Sequence, residues 1–526
     1  MKRLIAILII LTLALSACSR TPVVQEYDET PAPSETLAPT PTAEPTPPPE
    51  HDKRFTLQWN SDMSFNPVIG LSTNNLQLAG LIYEGLFRIN PDYTWEPVLC
   101  DSWETIDGIG WIFRIKQGII CHNGAELGLF DIIGSLNTAR ETGRFVNRLS
   151  NIKAVGAKDG AVSITLNKAD YDFPALLDIP IMKDGTTYSQ RPSGTGPFML
   201  DELYSRLNAF SYHRDYANLP IKTIYLTEVA HEDLIPAFDS GKIDVVVENK
   251  SDTGSMEFSA GAERRSYVTN IMHYIGFNSW RGACSDPAKR RVIASMINRA
   301  ELTEHVLPDC EPSVLPLPPG SPYYIDSIAE TALIPEESLP IEMNAVRLAD
   351  YDGDGHLEYI DDNNDIQKIY LEFIVHRDNL KKVNAAKQIV EMLRAYGFYI
   401  NFKELSWADY QKALNEGRYD LYYGSIQISA NFTLMPLADD KGAARFGYYD
   451  ATFDQFATEF QASEPGEWKT NTAKSMLREY CDMVPFTPLV FERGTLLTNR
   501  GVVAGATPTQ YNAFYNFTDW EIDFGG

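Results

Sequence analysis

The stretch KIYLEFIVHRDNLKKVNAAKQIVEMLRAYGFYINFKELSWADYQKALNEGRYDLYYG (368–424) decides the fold. Its segments 368–376, 399–405 and 419–424 are short and rich in β-branched and aromatic residues, as is typical of strands. Between them, Leu380–Tyr396 and Trp407–Glu416 carry apolar residues at helical spacing, and a glycine follows each one, Gly397 or Gly417. This β-α-β-α-β order predicts a mostly parallel sheet with helices on its faces, and therefore an α/β fold.

Upstream of this stretch, three further helix starts can be read from capping residues. Asp286 precedes Pro287, and Asn298 stands three residues before Glu301, so a helix is expected to begin at each position. A third helix is predicted over 72–86, because Ser72, Thr73 or Asn74 can cap its start and four apolar residues share one helical face: Leu76, Ala79, Tyr83 and Leu86.

The N-terminal segment MKRLIAILIILTLALSACSR (1–20) has two basic residues, a continuous apolar run and then small residues. This pattern predicts a secretory signal peptide over 1–17. The sequence around Cys18 resembles the bacterial lipobox, which implies cleavage before Cys18 and its acylation; the alternative is an ordinary signal peptide. Residues 18–53 are rich in Pro and Thr and predict a disordered linker. The protein is therefore expected on the extracellular face of a bacterial membrane, or on the periplasmic side if there are two membranes.

Composition limits the remaining classes. The chain has 526 residues, 45 basic and 71 acidic side chains, and a net charge of −26, which argues against nucleic acid as a partner. A body of this length is too large for one core and predicts two or three lobes. The five cysteines after Cys18 show no CxxC spacing, so their disulfide pairing stays open.

An acidic segment, DYDGDGHLEYID (350–361), has the residue order of a calcium loop. The candidate metal ligands are Asp350, Asp352, Asp354 and Asp361. A strand rather than a helix is predicted after the loop, so the frame of an EF-hand is missing. Two interpretations stay open, a structural calcium site and a solvent-exposed acidic turn.

Motifs of catalysis are not recognisable in the sequence. The eight histidines are scattered, and there is neither a GxSxG elbow nor a phosphate-binding loop. We therefore expect no enzymatic activity and no cofactor other than the possible calcium.

The segment LIYEGLFRINPDYTWEPVLCDSWE (81–104) closely resembles the opening signature of the family 5 extracellular solute-binding proteins. The resemblance continues, in the order of that family, through FRIKQGIICHNGAEL (113–127), GTGPF (194–198), AFDSGKIDVV (237–246), RRVIASMINR (290–299), WADYQKALNEGRYDL (407–421) and MVPFTPLVF (483–491). It thus covers nearly the whole body that follows the linker.

The resemblance implies an α/β receptor like the type II periplasmic binding proteins, three-lobed and closing on its ligand by a hinge. Lobe I is expected to comprise 54–88, 200–273 and 492–526, lobe II 89–199, and lobe III 274–491. The implied function is the capture of an extended small solute, with a peptide as the first candidate, and its delivery to the permease subunits of an ABC importer. A monomer is expected. The alternatives are a signalling receptor on the same fold, a secreted hydrolase, and a receptor for a metal chelate or an oligosaccharide.

The sequence departs from the family pattern in two places, one of which bears on the ligand. Peptide receptors of this family usually carry an aspartate that neutralises the α-amino group of the peptide, whereas Ile428 and Ser429 stand at about that place here. The residues expected to face the ligand are Ser425, Gln427, Ser429, Asn431 and Phe432. Cys100 and Cys121 replace an alanine and a phenylalanine, which leaves two alternatives, a disulfide or two small buried side chains.

Overall fold

The computed structural model describes residues 53–248, 261–361, 363–438, 442–446 and 448–524. The described residues all belong to one compact unit, Pro49–Gly526. The predicted signal peptide 1–17, the predicted lipid attachment site Cys18 and the predicted linker up to residue 52 lie outside the described residues.

A mixed sheet, which has eleven strands among the described residues, forms the frame of the body. From one edge to the other, its strands are Tyr399–Leu405, Tyr370–His376, Leu421–Gln427, Ala262–Phe277, Phe486–Asn499, Val245–Glu248, Thr56–Trp59, Thr223–Glu228, Arg206–Ala209 and Phe198–Leu200. Cys310–Pro312 pairs with Phe486–Asn499 beside this path. Tyr370–His376 pairs in parallel with both of its neighbours, which confirms the β-α-β-α-β prediction.

Two long antiparallel strands, Ala262–Phe277 and Phe486–Asn499, join the two ends of this sheet. At one end, Val245–Glu248 pairs with residues 495–498; at the other, Leu421–Gln427 pairs with residues 271–277. The pairing of the long strands shifts register between Val268 and Met272. The register shift therefore separates the part of the long strands that pairs with Val245–Glu248 from the part that pairs with Leu421–Gln427.

The remaining strands form smaller sheets. An antiparallel sheet contains, in spatial order, Cys100–Thr105, Gly110–Ile115, Ala161–Leu166 and Ile152–Lys158. The others are Leu348–Ala349 with Glu358–Ile360 and Ile366–Lys368, Phe87–Ile89 with Trp95–Pro97, and Val503–Ala504 with Glu521–Ile522.

The α-helices of the described residues are Thr73–Gln77, Ala79–Ile82, Leu129–Glu141, Leu234–Asp239, Pro287–Ser295, Arg299–His305, Asp326–Ala332, Leu339–Ala345, Leu380–Ala395, Trp407–Glu416, Ala451–Gln461 and Glu467–Met483. The helix Trp407–Glu416 has the predicted bounds, and it ends because Gly417 adopts a left-handed conformation that glycine tolerates. The predicted caps are also confirmed. The Asp286 side chain accepts a hydrogen bond from the N–H of Ala288, and Asn298 accepts one from the N–H of Glu301.

The helix predicted over 72–86 is wrong beyond Ile82. Two short helices, Thr73–Gln77 and Ala79–Ile82, take up its first part, and Tyr83 is extended. The chain after Tyr83 forms backbone hydrogen bonds with a distant segment, from Ile181 N–H to Glu84 O and from Phe87 N–H to Leu177 O. This tertiary pairing overrides the helical spacing of the apolar residues.

Apolar packing follows the two ends of the large sheet. The largest buried cluster joins the four-stranded sheet, through Phe113, to the first strand and the C-terminal segment, through Phe55 and Phe517. Two further large clusters of described residues lie between Met272 and Phe491. The boundaries of the three lobes stay predictions.

Cys100 and Cys121 are buried, and each is a free thiol. Of the two alternatives left open by the sequence, the structure therefore has the small buried side chains rather than the disulfide. Burial raises the pKa of the Cys100 thiol to about 12 and that of the Cys121 thiol to about 11, so both side chains are neutral and unreactive.

Candidate ligand-binding cavity

A cavity of about 1540 Å³ is lined by segments that are far apart in the sequence. The main ones are 73–89, 144–151, 167–180, 213–219, 426–437 and 509–518. Pockets for drug-sized ligands usually have about 300–1,000 Å³. This cavity therefore has room for a larger, extended solute.

The register shift of the long strands lies at the wall of this cavity, since Thr269 and Ile271 line it. Between them, buried Asn270 connects three segments. Its N–H donates to Gln510 Oε1 (2.5 Å), and its side-chain amide donates to Ile428 O (3.2 Å) and to the Tyr511 hydroxyl (2.7 Å). The irregular part of the long strands is thereby tied to both the 426–437 and the 509–518 walls.

The residues expected to face the ligand do not all reach the cavity. Gln427 and Ser429 line it, Gln427 as an exposed side chain and Ser429 as a half-buried one. Ser425 lies outside the lining, and its hydroxyl accepts a hydrogen bond from Lys382 Nζ (2.7 Å). Phe432 also lies outside the lining and is buried. Its ring contacts those of Tyr93 and Tyr323, with centroids 5.7 Å away in each case.

Asn431, the fifth of these residues, is buried in the cavity wall and bonds to a distant segment. Its side-chain amide donates to Asp170 Oδ2 (2.7 Å), and Gln461 donates to Asn431 O (3.2 Å). Burial raises the pKa of Asp170 to about 7, although the hydrogen bond from Asn431 opposes that shift. Asn431 thus connects the 426–437 wall to the segment that follows the four-stranded sheet. Whether these five residues hold a ligand stays a prediction.

Glu84, which belongs to the YEGL motif of the sequence, also lines the cavity. Its carboxylate accepts hydrogen bonds from Arg214 (2.5 Å) and from His213 Nε2 (3.4 Å). Burial acts to raise the pKa of Glu84, but these two partners outweigh it, and the net shift is downward. Glu84 is therefore an ionised group that is already paired with Arg214.

A basic corner of the cavity is formed by Arg144 and Arg148, on either side of the buried Phe145. Arg148 pairs with Asp178 and also donates to Ala175 O (3.1 Å). The guanidinium carbons of Arg144 and Arg148 lie 4.6 Å and 5.9 Å from the centroid of the Phe145 ring.

Neither arginine was identified from the sequence. The only signal was their spacing of four residues, which predicts that two side chains share a face but does not predict a cavity.

The acidic loop lies apart from the cavity, next to the three-stranded sheet that contains Glu358–Ile360. Carboxylate oxygens of Asp350, Asp352 and Glu358 lie within 4.8 Å of one another. Lys368 Nζ lies 2.9 Å from Asp352 Oδ2 and 2.7 Å from Asp354 Oδ2.

Asp361 has different partners from the other predicted metal ligands. It accepts hydrogen bonds from the N–H groups of Asn363 and Asp365 and from the Gln367 amide. Sequence reasoning missed Glu358, which stands at the ninth position of the loop. Calcium binding stays a prediction.

Comparison with known families decides the class. The model of the bacterial extracellular solute-binding proteins, family 5 Middle, matches residues 94–439, which is more than half of the chain. The chain belongs to this family. Family 5 proteins are extracellular or periplasmic binding proteins of ABC importers, a receptor class that is generally not enzymatic.

Solved structures confirm the expected fold, a mixed α/β body like the type II periplasmic binding proteins. The oligopeptide-binding protein AppA from Bacillus subtilis, in complex with a nonapeptide, superposes with a TM-score of 0.62 at 17% identity, over 90% of this chain and 100% of AppA. A nickel ABC transporter protein from Bacillus halodurans superposes with a TM-score of 0.70 at 17% identity, over 88% of this chain and 98% of that protein.

One relative of known description is a transcriptional regulator rather than a binding protein. The HTH-type transcriptional regulator SgrR from Yersinia pestis (strain Pestoides F) is 24% identical over 255 residues, which are 46% of this chain and 43% of the regulator. The chain thus spans less than half the length of this relative. Among the described residues of this family 5 chain, no helix is both long enough and apolar enough to span a membrane.

Proposed function

We propose that this chain is the lipid-anchored binding protein of an ABC importer, and that it captures an extended peptide and delivers it to the permease subunits in the membrane. Cys18 would carry the lipid, and residues 18–53 would let the receptor reach the permease. A monomer suffices, because one chain supplies all the walls of the cavity that have been described.

The observation that carries this proposal is the size and chemistry of the cavity. Its volume of about 1540 Å³ suits an extended chain better than a single small ion. The 426–431 wall offers Gln427 and Ser429, which are neutral hydrogen-bonding side chains. Such groups can pair with a peptide backbone whatever its side chains are. The nonapeptide bound to AppA is a ligand of this kind in a protein of the same fold.

Two alternatives follow from the comparisons. A metal chelate is favoured by the likeness to the nickel ABC transporter protein, and a signalling role is favoured by the match to a transcriptional regulator. Both alternatives differ from the proposal in something that can be measured, namely the ligand in the first case and the membrane partner in the second.

The test begins with the ligand. The protein is purified without denaturation, the bound molecules are released, and mass spectrometry identifies them. Calorimetry of the stripped protein then compares a random peptide pool with nickel–histidine and with an oligosaccharide pool. Peptides in the released fraction and heat of binding from the peptide pool support the proposal. Binding of the nickel complex or of sugars alone contradicts it.

The role in import is tested separately in cells. Deletion of the gene should abolish uptake of the peptides identified above, and expression of the wild-type protein should restore it. If uptake is unchanged but the transcriptional response to the peptide is lost, the signalling alternative is correct.

A further inference from the structure

We propose that Asp170, Tyr171 and Asp172 form a latch with the opposite side of the ligand cavity, and that the latch takes up one proton when it closes. This inference concerns the regulation of the cavity and rests on the proposed function only in taking the cavity as the ligand site. It does not depend on the class of ligand.

The latch consists of contacts between two parts of the chain that face each other at the cavity. One part is the segment that follows the strand Ala161–Leu166 of the four-stranded sheet. The other comprises the 426–437 wall and the helices Ala451–Gln461 and Glu467–Met483. The three contacts join Asn431 Nδ2 to Asp170 Oδ2 (2.7 Å), Tyr171 N–H to Gln461 O (3.0 Å), and Lys469 Nζ to Asp172 Oδ2 (2.7 Å).

The closed latch buries two carboxyl groups and a single ammonium group. Asp170 and Asp172 are 2% and 7% exposed, and Lys469 is fully buried. Lys469 pairs with Asp172, so an ionised Asp170 would leave one negative charge in excess inside the protein. Burial of such a charge is costly, and a carboxyl group in this position avoids the cost by keeping its proton.

The groups around Asp170 agree with this balance of charge. Burial raises the pKa of Asp170 to about 7, and the charge of Asp172 acts in the same direction, whereas the hydrogen bond from Asn431 and the charge of Lys469 oppose the shift. Tyr323, which donates to Asp172 Oδ2 (3.3 Å), is neutral because burial raises its pKa.

Asn431 can pair with either form of Asp170. Its amide nitrogen donates to the carboxylate. Its Oδ1 atom is buried and has no hydrogen-bond partner among the described residues, so a half-turn of the amide offers an acceptor to the protonated acid.

The direction of the pH effect follows from these positions. In an open cavity Asp170 lies in water, where the pKa of its carboxyl group has the usual value of 3.8. Closing therefore takes up a proton between about pH 4 and about pH 7, and the latch weakens as the pH rises through this range and then levels off. A ligand that binds between the closed sides is accordingly released more readily at neutral than at acidic pH.

Hydrogen exchange of two neighbouring amides tests the latch without a ligand. The Tyr171 N–H reports opening, because its hydrogen bond crosses to Gln461 O. The Asp170 N–H is the internal control, because it donates to Gly108 O (2.9 Å) on its own side of the cavity. The purified protein, stripped of bound molecules, is exchanged from about pH 5 to about pH 8, and mass spectrometry of overlapping fragments gives the protection factor of each amide at each pH.

The protection factor of Tyr171 in wild type should fall by more than about tenfold over this range, while that of Asp170 changes by less than about twofold. Asp170→Asn should keep Tyr171 protected, because an amide does not ionise. Asp172→Asn is the second variant, and it should reduce the fall because Lys469 can then neutralise Asp170. Asp159→Asn, in an exposed turn, is the control and should follow wild type.

Other results contradict the proposal. If Tyr171 is unprotected at every pH, the contacts do not hold the two sides together. If its protection falls alike in wild type, Asp170→Asn and Asp172→Asn, the proton is bound elsewhere. If the Asp170 amide loses protection in parallel with Tyr171, the segment unfolds as a whole and no latch opens. None of these results bears on peptide capture, since no ligand is present, and a failure of the proposed function is therefore detected separately by calorimetry.

Discussion

Lys469 Nζ lies 2.7 Å from Asp172 Oδ2, and the side chains of both residues are almost completely removed from solvent. Lys469 belongs to the helix Glu467–Met483, whereas Asp172 follows the last strand of the four-stranded sheet. The segment that contains Asp172 also meets the 426–437 wall of the cavity, where Asn431 bonds to Asp170. An opening of the cavity between these regions would have to bring this ion pair into water.

Removal of the Lys469 charge should therefore be costly. Lys469→Met leaves Asp172 buried without its counterion, and we expect the free energy of unfolding to fall by about 3–5 kcal/mol. Urea denaturation measures this loss. The control is Lys474→Met on the same helix, because Lys474 is only half-buried and has no ion pair among the described residues. A loss below about 1 kcal/mol for Lys469→Met would show that the pair is open to water in solution.

Asp170 should make stability depend on pH. Burial raises its pKa from 3.8 to about 7, so the folded protein keeps a proton that the unfolded chain has already lost between these values. The free energy of unfolding should therefore fall, by a few kcal/mol in order of magnitude, as the pH rises from about 4 to about 7, and should then level off.

Asp170→Asn should lack this part of the decline, because an amide does not ionise. Denaturation curves from pH 4 to pH 8 are compared for wild type, Asp170→Asn and the control Asp159→Asn, which lies in an exposed turn. The decline in the free energy of unfolding with pH is compared between variants rather than taken from wild type alone. Asp244 also has its pKa raised to about 7, so it contributes to the decline in every variant. Parallel curves for wild type and Asp170→Asn would contradict the prediction.

The acidic loop should be dispensable for ligand binding. None of its carboxylates lines the cavity, so Asp352→Asn with Asp354→Asn should leave ligand affinity within about twofold of wild type and thermal stability close to it. Calorimetry and thermal melting measure the two effects. Two results together would show that the loop is a functional metal site. The double variant would have to lose ligand binding, and wild type would have to lose it on chelation and regain it with calcium.

Local sequence encodes some elements of this structure and not others. The helix Trp407–Glu416 was predicted with its bounds, because Ser406 and Gly417 encode its two ends locally. The helix at 72–86 was overextended, because backbone bonds to residues 177–181 are invisible in local spacing. In the same way, Gln427 and Ser429 could be placed at the cavity by resemblance to the family. Arg144 and Asp170 could not, because their partners lie far away in the chain.

The lipid anchor is a prediction that depends on one side chain. Cys18→Ser removes the sulfur atom whose acylation the lipobox predicts, so the variant should appear in the medium or accumulate as uncut precursor. Fractionation of cells and mass spectrometry of the mature N-terminus measure this. The control is Ser19→Ala, which leaves the cysteine in place. Wild type that is recovered without a lipid and fully in the medium would refute the anchor.

The N-terminus of a bound peptide should contribute little to affinity. Ile428 and Ser429 stand at about the place where related peptide receptors have an aspartate. The lining carboxylates Glu84, Asp178 and Glu248 each have an arginine partner. Transfer of a charged α-amino group from water into the cavity costs free energy if no carboxylate pairs with it there. Acetylation of a peptide that binds should therefore change its dissociation constant by less than about threefold, as measured by calorimetry on matched free and acetylated peptides.

Ser429→Asp supplies the matched variant for this prediction. Ser429 lines the cavity and is half-buried, so a carboxylate there could reach the ligand while it keeps some contact with water. The variant should bind free amines more tightly than acetylated peptides by about tenfold, because a charged hydrogen bond is worth about 1.5–3 kcal/mol. If wild type already has this preference, another carboxylate holds the amino group. Glu248 is then the first residue to substitute, since it is a buried carboxylate in the same cavity lining.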